Sequence, residues 1–185
     1  MAYVACRRSG LPAARVIGTG TLLDSCRMRQ EIAAKLSVAP ASVDGFVLGE
    51  HGDTEVAILS SIRVGGLSLE QFAPGTLDGG QLARDVRDAG YRIITGKGYT
   101  SFGIATAAVR ICEAVIRDEK AILPVSSLLT GQFGFSDLCL SLPCIVGAGG
   151  IERVLVPRLS EIETAALRRS ALALQEAIAG MAVSP

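Results

Sequence analysis

Apolar residues recur at helical spacing in four stretches of the chain. Met28, Ile32 and Leu36 fall on one face of a segment from Ser25 to Leu36; Asp24 is placed to cap it, and Pro40 lies beyond its end. Leu82, Val86, Ala89 and Ile93 predict a helix over 81–95, broken by Gly96-Lys97-Gly98. Ile104, Ala108, Ile111 and Val115 predict another over 101–117. Ser160-Glu161-Ile162-Glu163 has the form of a capping box, opening a final helix with Leu167, Ala171, Leu174 and Ile178 inward.

Between these helices the pattern changes to short β-rich runs. Residues 1–9 suit a short helix stopped by Gly10-Leu11-Pro12, and 15–18 suit a brief strand. Segments 43–48 and 56–64 read as extended, and 65–80 reads as loop. Segments 121–130, 138–146 and 153–156, punctuated by glycine, suggest an antiparallel meander. The expected fold class is α+β, with helices packed on an antiparallel sheet.

Totals narrow the function classes. With 185 residues there is room for one domain and little more. The 18 basic and 18 acidic residues cancel, which leaves no footprint for nucleic acid or a membrane surface. No apolar run reaches the ~20 residues of a membrane span, and Arg7 and Arg8 interrupt any signal-peptide core. The five cysteines lie singly, without CxxC, and read as reduced, mostly buried thiols. A soluble, cytoplasmic protein is expected.

The chemistry centres on Gly49-Glu50-His51-Gly52-Asp53, which holds the single histidine of the chain. Taken alone, a surface histidine at a strand end is the simpler reading. If Asp24 and Arg27, three residues apart on a helix face, also turn toward His51, a different site results. Asp24 would fix the imidazole and favour its protonated form, and the other ring nitrogen would exchange a proton. Arg27 would offer a planar fork to a carboxylate. Such a set suits a 2-hydroxy or 2-keto acid. Gly18 and Gly20 hint at a dinucleotide loop, but Leu23 stands where the third glycine belongs. One histidine among scattered acids gives no metal motif, so no metal is expected.

These residues resemble a known family. The segment 19–29 (GTLLDSCRMR within it) is similar to the GTxLDSxRxR segment of the NAD-dependent L-lactate dehydrogenases, within the lactate/malate dehydrogenase family. Segment 48–55 is similar to their GEHGD segment, and 97–105 to the lactate-type helix start rather than the Ala-Pro-bearing malate version. Pro124-Val125-Ser126, Leu142-Pro143-Cys144 and Gly149-Gly150-Ile151 follow in family order, so the resemblance runs from about Tyr3 to about Ala179.

The resemblance implies that His51 and Asp24 form the catalytic pair, with His51 giving a proton to the pyruvate carbonyl oxygen. It implies that Arg27 binds the substrate carboxylate, Thr100 lines the pocket, and Ile104 packs on the nicotinamide of NAD. For Ile104 an ordinary place on a helix face remains equally open. Arg29 matches a position that some members use for an activating sugar bisphosphate, but Asp44 stands where the partner histidine belongs. A homo-oligomer is implied.

The resemblance covers only the C-terminal part of such enzymes. Residues 1–20 are expected to correspond to the last helix and strand of a nucleotide-binding domain, and 21–185 to the substrate-binding domain. The glycine-rich turn, the ribose-binding acid and the loop with the carbonyl-polarising arginine have no counterpart in the sequence. A truncated or frame-shifted reading frame, or a split gene, would explain this. The expectation is a lactate dehydrogenase-like chain that is inactive or nearly so by itself. A malate or other 2-hydroxyacid dehydrogenase, and a non-catalytic remnant that associates with full-length subunits, stay open.

Overall fold

The computed structural model of the chain describes residues 1–75, 78, 80–82, 84–85, 95 and 101–181. The expected helix over 81–95, its glycine break and Thr100 lie mostly or wholly outside the described residues. Five helices are placed among the described residues: α1 (Ala2–Arg8), α2 (Leu22–Leu36), α3 (Leu69–Phe72), α4 (Phe102–Ile116) and α5 (Glu161–Ala179). The strands are β1 (Val43–Asp44), β2 (Val47–Leu48), β3 (Val56–Ala57), β4 (Arg63–Val64), β5 (Leu67–Ser68), β6 (Ala121–Thr130), β7 (Ser136–Gly147) and β8 (Gly150–Val154). The class is α+β, and every strand pairing is antiparallel.

The meander β6–β7–β8 forms the main sheet, with β7 in the middle. Two small sheets, β1–β4–β5 and β2–β3, are built from the chain between α2 and α4. β8 pairs with β7 only as far as Val154 opposite Cys144. The β7 edge is therefore open at Ser141, and Gly49 docks there as an isolated bridge. Gly18 makes the equivalent bridge to Ser126 on β6. Residues 15–18 thus give a single bridge after a 3-10 turn (Ala13–Arg15), not the strand expected.

Helix α2 is wedged between apolar clusters. Met28, Ile32 and Ala33 pack with Val43, Val47, Ile62, Val64 and Leu82. Leu22, nearly two turns earlier, belongs to a different cluster with Ala107, Ile111 and Ala114 of α4 and Leu123 and Val125 of β6. A third cluster joins Leu48 to Leu138, Leu140 and Leu142 of β7 and Leu167 and Ala171 of α5. Strand β2 alternates faces, so Val47 enters the first cluster and Leu48 the third. Each fully buried side chain of this size contributes roughly 1.5–3 kcal/mol. That outweighs an isolated surface ion pair, worth about 0–1 kcal/mol. Apolar packing therefore decides where α2 and β2 meet.

Several expected details shift. Segments 43–48 and 56–64 break into two-residue strands separated by turns, and 65–80 contains β5 and α3 with a Ser68/Gln71 capping box. The buried face of α4 is Ala107, Ile111 and Ala114; Ala108, expected inside, is exposed. Alanine occupies both choices, so the sequence pattern does not separate them. Only Cys139 and Cys144 are buried, while Cys26 and Cys112 are exposed, against the expectation of mostly buried thiols. Burial pushes the Cys139 thiol up to about 12 and the Cys144 thiol up to about 11, which keeps both protonated and unreactive at neutrality. The Ser160/Glu163 capping box opens α5 as expected.

Two buried hydroxyls pin β2 to α2. Thr21 Oγ1 donates to the Val47 carbonyl at 2.5 Å, and Ser25 Oγ accepts from the Val47 N–H at 2.9 Å. Replacing Ser25 by Ala gains a few tenths of a kcal/mol of helix propensity. It strands the buried Val47 N–H at a cost of about 1–3 kcal/mol. The net loss should appear as a lower urea midpoint at unchanged slope, and an unchanged midpoint would mean that Ser25 does not anchor β2.

Candidate active site

The site forms where α2 and the turn after β2 come together. Thr21 takes the N-cap position of α2 and Leu22, 3% exposed, roots its first turn. Asp24 is therefore not the cap that its residue type suggested; it lies inside the first turn, where a carboxylate also complements the helix dipole. Its side chain points sideways, and the residue is only 2% exposed.

The histidine turn is held from three sides. Gly49 exchanges both backbone hydrogen bonds with Ser141, at 3.0 and 3.1 Å. Its φ is +99°, and a Cβ there would stand 2.6 Å from Ser170 Oγ, so this position requires glycine. Ser170, on α5, accepts the Glu50 N–H at 2.7 Å. Glu50 in turn accepts from the Thr54 hydroxyl at 2.7 Å and braces the turn.

His51 Nδ1 lies 2.8 Å from Asp24 Oδ2, and Arg27 Nη1 lies 3.1 Å from Asp24 Oδ1. The contact between Oδ2 and the ring becomes an ion pair when His51 is protonated. Arg27 is largely covered, whereas the His51 side chain is 54% exposed. The ring borders a cleft of about 420 Å³ lined also by Gly18, Gly20, Ser126 and Leu174. Contact with Asp24 raises the His51 pKa above its ordinary value, against the opposing effect of burial.

Of the expected site residues, the structure brings together Asp24, Arg27 and His51. Ile104 sits half-buried at the edge of the Leu22–Ala107 cluster, a place consistent with ordinary packing. Thr100 lies outside the described residues. Arg29 contacts its neighbour Cys26, and Asp44 is exposed on β1. Gly18 and Gly20 serve packing against the sheet. Gly20 has φ +53°, and a Cβ there would meet the Ser126 backbone nitrogen at 2.7 Å.

One member of the site escaped the sequence reading. Glu55, four residues after His51, places a carboxylate oxygen within 4.8 Å of donor atoms of both Asp24 and His51. Burial first, and the Asp24 charge second, push its pKa up to about 8. The opposing pull of His51 and Arg27 is weaker. Glu55 is thus mostly neutral at neutral pH. Nothing in an isolated acid near a histidine distinguishes this arrangement in sequence.

A family model for the lactate/malate dehydrogenase alpha/beta C-terminal domain matches residues 21–183. The chain belongs to the lactate/malate dehydrogenase family. Within that family, the L-lactate dehydrogenase of Thermus aquaticus is 47% identical over 189 residues, with 98% of this chain and 60% of that protein covered. That of a Synechococcus species is 41% identical, covering 96% of this chain and 59% of that protein. A crystal structure of the minor L-lactate dehydrogenase from Enterococcus mundtii in its ligands-bound form superposes with a TM-score of 0.94 at 38% identity, over 99% of this chain and 60% of that one. The chain therefore spans about 60% of the length of these dehydrogenase relatives. Among the described residues, no helix is long and apolar enough to cross a membrane.

The raised Glu55 pKa makes stability depend on pH. The folded state holds this proton more tightly than the unfolded chain, whose Glu titrates near 4.5. Its contribution is fully present below 4.5 and is lost as pH rises toward about 8. Glu55→Gln carries no such proton, so its denaturation midpoint should gain on the parent's between pH 4.5 and 8. Parallel midpoint-versus-pH curves would refute a buried, neutral Glu55.

Proposed function

We propose that Asp24, Arg27 and His51 form the substrate and proton-transfer half of an L-lactate dehydrogenase active site, interconverting pyruvate and L-lactate with NAD. The observation that supports this most is the Asp24 carboxylate shared between His51 on one oxygen and Arg27 on the other. In the direction of reduction, protonated His51 gives its proton to the carbonyl oxygen of the keto acid; in reverse it takes the proton from the hydroxyl. Asp24 holds the ring in place and stabilises the imidazolium, so that His51 is charged before the acceptor arrives. Arg27 meets Asp24 through Nη1, and the rest of its five-donor fork suits the substrate carboxylate. Thr100 completes the methyl side of the pocket in this reading.

A bound nicotinamide cofactor supplies the hydride. The described residues fit it only at its reacting end, where Ile104 offers an apolar surface. Gly18 and Gly20 are committed to β6 and β7 and make no phosphate cradle. Residues 1–20 then belong with a nucleotide-binding region and 21–185 with the substrate region. Exposed Phe102, Val109 and Ile116, seven residues apart on α4, give an apolar face suited to another subunit or that region, and support a homo-oligomer. A cytoplasmic setting accords with this reading.

Hydride transfer requires the nicotinamide beside the substrate carbon, so the 185-residue chain by itself should reduce pyruvate negligibly. Joined to the nucleotide-binding region of the Thermus aquaticus relative, it should oxidise NADH with pyruvate in preference to oxaloacetate. His51→Ala in that assembly should cut turnover by about 10²–10⁴-fold. A preference for oxaloacetate would favour a malate dehydrogenase. No activity from a folded, NADH-binding assembly would favour a non-catalytic role.

A further inference from the structure

The sequence offers no metal motif, yet the fold assembles three donors of suitable chemistry. One ligand atom each from Asp24, His51 and Glu55 lies within 4.8 Å of the others. Asp24 is 2% exposed, and its Oδ2 faces this cluster with no partner among the described residues besides the His51 ring. Two donors bound at ~2.1 Å to one tetrahedral ion sit about 3.4 Å apart. The Nδ1–Oδ2 separation is 2.8 Å. A small outward turn of the half-exposed His51 ring would bring this pair to chelating distance.

We propose that Asp24 Oδ2, His51 Nδ1 and the Glu55 carboxylate form a site for a divalent transition ion of Zn²⁺ type, which inhibits by occupying the proton-transfer pair. One imidazole and two carboxylates suit Zn²⁺ and its neighbours in the first transition row; Mg²⁺ and Ca²⁺ prefer all-oxygen sets. Binding displaces the Nδ1 proton to solvent and ionises Glu55, so that two carboxylates and a neutral ring face the ion, with Arg27 remaining on Oδ1. The half-exposed His51 provides the route in from the cleft. A ring metallated at Nδ1 keeps only its Nε2 proton and holds it far more tightly than an imidazolium does, so bound ion and proton donation exclude each other. The inference uses the same Asp24–His51 pair as the dehydrogenase reading, but asks only for binding by this chain.

His51 is the single histidine, so its ring resonances report this site apart from any binding at the exposed cysteines. Zinc chloride titrated into the ¹⁵N-labelled 185-residue chain should shift the His51 ring signals along a saturable curve. Glu55→Gln should weaken that curve by at least about tenfold, as loss of a ligand requires. Glu50→Gln removes an equal nearby charge from a carboxylate committed to Thr54, and should leave the curve within about threefold, consistent with a minor screened charge effect. Ring signals that do not respond to zinc would overturn the site. So would a Glu50→Gln effect as large as that of Glu55→Gln, which would make the binding a bulk charge effect. Either failure leaves the pyruvate assay of the joined assembly untouched, so the two readings are separable.

Discussion

A carboxylate with almost no exposure to water must be compensated, and Asp24 is the group on which this site depends. Leaving one such charge unpaired costs several kcal/mol, far more than a surface pair returns. The fold answers with Arg27 on one oxygen and His51 on the other. Arg27 is supplied locally, one helical turn away. His51 comes from a turn that must be delivered across the molecule, and most of the surrounding architecture serves that delivery. Thr21 and Ser25 fix β2 against α2, Gly49 stitches the turn to the open edge of β7, and Ser170 of α5 holds the next backbone N–H. Three apolar clusters lock those elements together, so the pairing is set by packing and the charges are fitted to it.

The same constraint shapes the chemistry. An imidazole beside a buried carboxylate holds its proton more readily, and an acid donor near neutrality needs that bias. At Glu55 burial first, and the Asp24 charge second, favour the protonated carboxyl.

Where the sequence carried local rules, they translated into structure. The Ser160/Glu163 box and the Gly-Leu-Pro stop after α1 rest on interactions within a few residues. The meander follows from β-rich runs set off by glycine, although its third strand is Gly150–Val154 and not the 153–156 expected, because Gly150 pairs with Gly147 across a tight turn. Asp24, Arg27 and His51 were also readable as one candidate set, and the structure brings them into contact. What was not readable came from distant contacts. Asp24 looked like a cap because the burial of Leu22, which starts the helix earlier, depends on α4 and β6. The glycines at 18 and 20 suggested a nucleotide loop, although their cause is the close approach of Ser126 and Ser141. Glu55 and Ser25 had no signal, because each depends on a partner more than twenty residues away in the chain, Asp24 for Glu55 and Val47 for Ser25.

The central claim, that buried Asp24 raises the pKa of His51, has a direct test because the chain has one histidine. An NMR titration of the His51 ring protons in the parent chain should give a pKa above the ordinary value of about 6.5. In Asp24→Asn, which keeps the shape and removes the charge, the pKa should fall below that of the parent, since burial then acts without its counterweight. A parent pKa at or below 6.5, or one that Asp24→Asn leaves in place, would contradict the account.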